Sequence, residues 1–255
     1  PSLYRGDQPA KAAQVSYHLP FQLDEFAAVL NGRTPHVDYF PQYQACLGYA
    51  LAPFFRLAGL TVCTFTAAMS FLSACALLVF FGVFRRVTGG GWRALLLYLP
   101  LLAVSLTPLN AEPFPWHQRP TAFNYFAVGP LRYFGPCVTL ACLTAFLLRP
   151  SRPRLVLLFL VAALTAINNL DFGVPALAAA LLAVLLSNPE GPLPTTRTTL
   201  EALGGCACGG GLGLAGFLLL TFLRSGHLPD WRTVTVFQRT FVVDGFYMLP
   251  MPPFG

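Results

Sequence analysis

The chain contains few charged residues. Only 10% of its 255 residues are charged, against about 25% in a soluble domain, while 55% are hydrophobic. This balance excludes an ordinary soluble enzyme and indicates an integral membrane protein surrounded by a lipid bilayer. The net charge of +6 does not indicate nucleic-acid binding, because the arginines stand at the ends of apolar runs, as membrane topology requires.

No signal peptide is visible in residues 1–20, because they hold no continuous apolar core. The first residue is Pro1 rather than Met, and residues 248–255 read as an unfinished loop. We therefore expect the chain to be a fragment of a longer protein or a processed one.

Apolar runs long enough to cross a bilayer as helices recur along the chain. Six stretches qualify or nearly qualify: 60–84, 93–109, 130–148, 155–170, 172–187 and 203–223. Residues 43–57 are apolar but interrupted by Pro53 and Arg56, which predicts an interfacial helix or the start of a kinked span. The expected fold is all-α: a polytopic transmembrane helix bundle of about six spans plus an interfacial helix, with long external loops.

The arginines set the expected orientation. Under the positive-inside rule the two most basic loops are cytoplasmic, and they hold Arg85, Arg86, Arg93, Arg149, Arg152 and Arg154. The chain then divides into an external segment 1–59 with interfacial helices, a transmembrane bundle 60–223 and an external segment 224–255 that is incomplete at its C-terminus. The expected location is the bacterial inner (plasma) membrane, with both terminal segments external.

This orientation sorts the acidic and imidazole side chains onto one side. All four histidines and eight of the ten carboxylates are then external, and only Glu190 and Glu201 are internal. Acidic residues contribute little to topology, so the sorting is a separate observation. One interpretation is that the external side carries the functional site. The alternative is that long external loops simply contain more polar residues.

The densest group of ionisable residues is the run 23–43, LDEFAAVLNGRTPHVDYFPQY. Asp24 and Glu25 open a short amphipathic helix that Gly32 ends. A turn then returns the chain toward that helix with Arg33, His36 and Asp38. A carboxylate beside an apolar interface can act as a general base, and an adjacent arginine can hold a phosphate through two hydrogen bonds.

The order of these residues resembles a known family. DE before a short alanine-containing helix, then Gly, then P-x-x-D and a tyrosine-rich amphipathic segment, is similar to the first external loop of GT-C membrane glycosyltransferases of the protein mannosyltransferase and aminoarabinose transferase type. The resemblance implies a helical membrane bundle and a polyprenyl-phosphate or polyprenyl-diphosphate sugar donor. By position it implies that Asp24 is the catalytic base, Glu25 its neighbour and Asp38 a second acidic contact. The close match covers residues 23–43 alone.

A second group of candidate residues lies in 110–129, NAEPFPWHQRPTAFNYFAVG, where three prolines prevent one long helix. Arg119, with Arg132 just beyond, is a candidate phosphate ligand, and Glu112 and His117 are candidate substrate contacts. Trp116 and Tyr125 either stack on a sugar ring or anchor the chain at the membrane interface, as such residues commonly do.

A third group spans 168–175, NNLDFGVP. Polar groups so close to the membrane core are costly unless they are satisfied. Asn169 and Asp171 are therefore candidate substrate contacts, with the alternative that Asp171 caps a helix.

Cysteines and glycines give no site. The seven cysteines lie in or beside apolar segments, where cysteine behaves as a small hydrophobe, and no histidine pair has a metal-ligand spacing. We predict no metal-ligand residues. A divalent cation remains an alternative, and no other cofactor is indicated. The run 204–216, GGCACGGGLGLAG, lacks the Lys-Ser/Thr of a phosphate loop and predicts close helix packing.

The leading hypothesis is inverting glycosyl transfer at the external membrane face. Asp24 would deprotonate the acceptor, Glu25 and Asp38 would position it or a cation, and Arg33, Arg119 or Arg132 would offset charge on the leaving lipid phosphate. His36 completes the set of candidate substrate contacts. The alternatives are a non-catalytic accessory subunit that docks membrane-protein partners and, third, a transporter, which would carry ionisable groups deep within its spans.

Overall fold

The computed structural model describes residues 22–106, 129–187, 195–236 and 239–240. This part of the chain folds into eight α-helices: α1 (22–30), α2 (Leu47–Ala58), α3 (Val62–Thr88), α4 (Gly91–Leu106), α5 (Gly129–Leu148), α6 (Arg152–Asn168), α7 (Leu170–Leu186) and α8 (Thr196–Ser225). A 3-10 turn, Trp231–Thr233, follows α8. The described residues form no strand beyond an isolated bridge between Pro35 and Tyr39, so the all-α prediction is confirmed for them.

Within the described ranges, three helices are long and apolar enough to cross a membrane: Val62–Thr88, Pro130–Leu148 and Thr196–Ser225. The other three predicted spans coincide with α4, α6 and α7, which have 16, 17 and 17 residues. At 1.5 Å per residue a helix of that length covers about 25 Å, a little less than the hydrocarbon core. The predicted positions of the helices are thus confirmed, and six membrane spans remain a prediction.

Local chemistry explains where the helices begin and end. Thr61 caps α3 through a capping box with Thr64, and Gly89, with φ of 66°, ends that helix in the left-handed conformation that glycine adopts without strain. Thr195 caps α8, which therefore begins before the apolar run. The N-cap of α7 is Asn169 rather than the expected Asp171, and its Oδ1 accepts a hydrogen bond from Phe172 N at 3.3 Å.

Glycines let α8 lie directly against α6. These two helices run parallel, and Gly205, Gly209 and Gly213 of α8 face successive turns of α6. A Cβ atom at Gly209 would lie 2.3 Å from the Val156 carbonyl oxygen, so only glycine fits there. The close packing expected of the run 204–216 is confirmed. α6 also contacts α5 and α7, while α3 contacts α4 and α5.

The two ends of the bundle differ in character. One end carries the arginine-rich turns between α3 and α4 and between α5 and α6, where Arg154 donates to the carbonyl oxygens of Ala145 and Arg149. At the other end α1, α2 and the loop 31–46 cover the helix termini, and Phe26 packs against Phe55 and Phe65 beneath them. We call residues 22–58, 168–172 and 221–236 the cap.

Candidate functional site

Glu25 holds the cap loop through its carboxylate. Oε1 accepts hydrogen bonds from Gln42 N at 2.5 Å and Tyr43 N at 3.1 Å, and Oε2 accepts one from Gln44 N at 3.1 Å. The side chain is buried beneath the loop that it binds. Its position in α1 thus fixes the backbone that leads into α2.

Burial raises the pKa of Glu25 to about 7, above its ordinary value of 4.5, and the three backbone N–H groups oppose this shift. Desolvation disfavours the charged carboxylate, whereas the N–H donors favour it. Glu25 is consequently an acid that titrates near neutral pH while it carries a structural contact.

Asp24 differs sharply from its neighbour. It is exposed at the start of α1, because successive residues of a helix point about 100° apart. Asp38 is also exposed, and its Oδ2 accepts a hydrogen bond from Thr34 N at 2.6 Å, which fixes the turn after α1. Arg33, in the same turn, is exposed. The structure therefore brings the three predicted carboxylates into one small region, with Asp24 and Asp38 exposed and Glu25 buried.

His36 joins the loop to the segment after α8. Its backbone adopts φ of 62°, and its carbonyl oxygen accepts a hydrogen bond from Asp230 N at 2.8 Å. Nδ1 lies 3.0 Å from Thr233 Oγ1, and the ring packs edge-on against Phe217 of α8. Burial lowers the pKa of His36 to about 4, so the ring is neutral at pH 7.

Two asparagines between α6 and α7 bind the start of α2. Asn168 Oδ1 accepts hydrogen bonds from Cys46 N at 2.9 Å and Leu47 N at 2.8 Å, which are free donors at the N-terminus of that helix. Asn169 donates through Nδ2 to the Tyr43 carbonyl oxygen at 3.1 Å. Asn169, predicted as a substrate contact, is buried within these contacts, whereas Asp171 is exposed in the first turn of α7.

Arg132 of α5 reaches the same region. Its guanidinium lies 5.4 Å from the centre of the Tyr43 ring and 5.7 Å from that of Phe172, so it is held between two aromatic faces. Glu112, His117 and Arg119 lie outside the described residues. Arg132 thus contacts Tyr43, a residue of the loop that Glu25 binds. The predicted group 110–129 remains untested.

The most informative residue that the sequence did not single out is Arg224, in the last turn of α8. Nη2 donates to the Val29 carbonyl oxygen at 2.6 Å, and the guanidinium lies 5.2 Å from the centre of the Tyr49 ring. Burial raises the pKa of Tyr49 to about 12, against the opposing effect of Arg224. A cation that ends an otherwise apolar span was the available signal.

Among the residues that the structure describes, no group of three or more His, Cys, Asp and Glu side chains is placed to hold a metal ion. The cap and the adjacent Arg132 offer exposed carboxylates, buried hydrogen-bonding groups and the half-buried guanidinium groups of Arg132 and Arg224. Comparison of the chain with protein-family models, with curated proteins and with solved structures gave no significant match.

Proposed function

We propose that the chain is an integral membrane protein whose cap lies on the external side. The bundle exposes many large apolar side chains along its length, among them Phe71, Leu78, Leu96, Leu182 and Leu219. Such a surface is stable in lipid and prone to association in water. The arginine-rich end then faces the cytoplasm, and the bacterial inner membrane is the proposed location.

Within that membrane we propose glycosyl transfer from a polyprenyl-phosphate-linked sugar to an acceptor at the external face. The observation that carries this proposal is the different environment of two adjacent acids: Glu25 is buried and binds the loop, while Asp24 is exposed. The resemblance of residues 23–43 to GT-C enzymes supports the same assignment.

In the proposed reaction the Asp24 carboxylate takes the proton from the acceptor hydroxyl or amine. The acceptor atom bonds to the anomeric carbon as the bond from that carbon to the phosphate oxygen breaks, and the lipid phosphate leaves with the electron pair. Configuration is inverted, because attack and departure occur on opposite faces. Glu25 acts as a positioning residue through residues 42–44, and Asp38 through Thr34.

The test is turnover by the purified full chain with a panel of polyprenyl-phosphate hexoses and pentoses, followed as release of polyprenyl phosphate. We expect release with at least one donor, and none above background from Asp24→Asn. Glu201→Gln, which removes an exposed carboxylate at the opposite end of the bundle, should retain the wild-type rate. Unchanged turnover by Asp24→Asn would remove it as the base.

The alternatives predict different results. An accessory subunit would release no lipid phosphate from any donor and would be recovered in a stoichiometric membrane complex. A transporter is disfavoured by the placement of charge, since the Asp, Glu and Arg residues of the described helices lie within two turns of a helix end.

A further inference from the structure

Buried polar groups without a protein partner are concentrated in the cap. In the described part of the chain, seven buried side-chain nitrogen and oxygen atoms form no hydrogen bond, and six of them belong to Thr34, Gln44, Tyr49, Thr221 and Arg224. Thr34, Gln44 and Thr221 are each at most 1% exposed. An unsatisfied buried polar group costs about 1–3 kcal/mol, so this concentration requires an explanation.

These five residues are neighbours around the end of α8. Arg224 binds the Val29 carbonyl oxygen and lies over Tyr49, and Thr221 precedes it by one helical turn. The Gln44 carboxamide packs on Gly48, beside Val29. A side-chain contact with the Thr34 hydroxyl lowers the pKa of Tyr49, so these two hydroxyl groups are close neighbours.

The chemistry of this set favours an anion. Arg224 carries a permanent charge and forms no ion pair within the described residues, and its Nε–H remains free. Two carboxylates lie nearby, but Glu25 is bound to three backbone N–H groups and Asp38 is exposed and bound to Thr34 N. The guanidinium lies over the Tyr49 ring, Thr221 lies one turn before it on α8, and the Thr34 and Gln44 side chains belong to the loop that contacts Tyr49 and Val29.

Arg224 stands at the end of the apolar span, just before Gly226, where α8 stops. In a membrane this is the level of the lipid headgroups. A phosphate group offers acceptor oxygens that suit a guanidinium and hydroxyl donors together.

We propose that the cap binds a phosphate group at Arg224, between residues 34–49 and the last turn of α8. Thr221, Tyr49, Thr34 and Gln44 supply the neutral hydrogen bonds. This site is independent of the proposed transfer, since it rests on Arg224 and its neighbours and not on Asp24. A lipid headgroup and a soluble phosphate share this chemistry.

The experiment measures binding to the purified full chain in an uncharged detergent, by thermal shift and titration calorimetry. The probes are inorganic phosphate, dioctanoyl phosphatidic acid and dioctanoyl glycerol, which has the same acyl chains without phosphate. We expect phosphatidic acid to bind and dioctanoyl glycerol not to bind. Binding of inorganic phosphate as well would indicate a site open to soluble ligands, and binding of phosphatidic acid alone would indicate a lipid headgroup site.

Variants separate the proposed site from general attraction of anions. Arg224→Gln should weaken phosphatidic acid binding on the order of ten-fold or more, and Thr221→Val and Tyr49→Phe by about two- to ten-fold each. Arg232→Gln, which removes a 94% exposed arginine at the same end, is the matched control and should bind as wild type. Because Arg224→Gln also loses the contact with Val29, the two shape-conserving variants decide the outcome if it fails to fold.

Three results would overturn the proposal. They are an absence of binding to both phosphate probes, equal binding of dioctanoyl glycerol and phosphatidic acid, and unchanged affinity in both Thr221→Val and Tyr49→Phe.

Discussion

Asn168 Oδ1 lies 2.8 Å from Leu47 N, and this contact joins residues 121 positions apart. The same oxygen accepts from Cys46 N, so one side chain of α6 satisfies two donors at the start of α2. The free donors at the N-terminus of α2 are therefore satisfied by a side chain of another helix and not by neighbouring residues in the sequence. This contact attaches the cap to the bundle.

Asn168→Ala should detach this end of the cap. Removal of the carboxamide leaves two backbone donors unpaired, and we expect a loss of about 1–3 kcal/mol in the free energy of unfolding. Chemical denaturation in detergent measures it. Asn31→Ala, at an exposed asparagine after α1, is the control and should stay within about 0.5 kcal/mol of wild type. Equal stability of the two variants would contradict the attachment.

Glu25 should make stability fall as pH rises. Its pKa in the folded protein, about 7, exceeds the ordinary value of 4.5, so between these values the folded state holds a proton that the unfolded state has lost. The contribution is therefore largest below pH 4.5 and disappears by about pH 7. Glu25→Gln should remove this falling component from thermal unfolding measured between pH 4 and 8. Asp24→Asn, one residue away and exposed, should follow wild type.

His36 should act in the opposite direction. Burial holds its pKa near 4, below the ordinary 6.5, so the unfolded state gains a proton first as pH falls, and stability is lost from pH 6.5 down to about 4. His36→Asn keeps a residue that tolerates positive φ and removes the titration. Its melting temperature should decline more steeply than that of wild type as pH rises from 4.5 to 6.5. A profile parallel to wild type would show that His36 does not titrate in this range.

The contact between α6 and α8 should tolerate no added methyl group at Gly209. A Cβ there would lie 2.3 Å from the Val156 carbonyl oxygen, so Gly209→Ala must push the helices apart, at a cost of about 1–3 kcal/mol. Gly210→Ala is the matched control, because a Cβ at that position meets nothing within 4 Å. It should leave stability unchanged or raise it by up to about 1 kcal/mol, since alanine favours a helix. Denaturation of both variants in the same detergent checks the difference.

The positions of the helices follow from the sequence because hydropathy and capping are local. Helices α3 and α8 begin and end through contacts between residues close in sequence, at Thr61, Gly89, Thr195 and Gly226. Each predicted span coincides with a helix. The six predicted spans differ in length, however, and among the described helices three are long and apolar enough to cross a membrane by themselves.

The candidate site was predictable only in part. The run 23–43 located the acidic residues. Asp24 and Glu25 are adjacent carboxylic acids that the sequence does not distinguish, and which of them is buried depends on where α1 packs. Likewise, Asn169 and His36 drew attention as polar residues, whereas their partners Tyr43 and Thr233 are distant in sequence. Arg224 was not singled out, because its contacts with Val29 and Tyr49 join residues distant in sequence.

The sequence by itself therefore determined an all-helical, apolar bundle with arginine-rich turns at one end and acidic groups at the other. Tertiary structure alone decided that Glu25 binds the loop, that Asn168 caps α2 and that Arg224 stands among unpartnered hydroxyl groups. The physical reason is range: helix formation depends on neighbours within a turn or two, while these hydrogen bonds exist only after distant helices have packed.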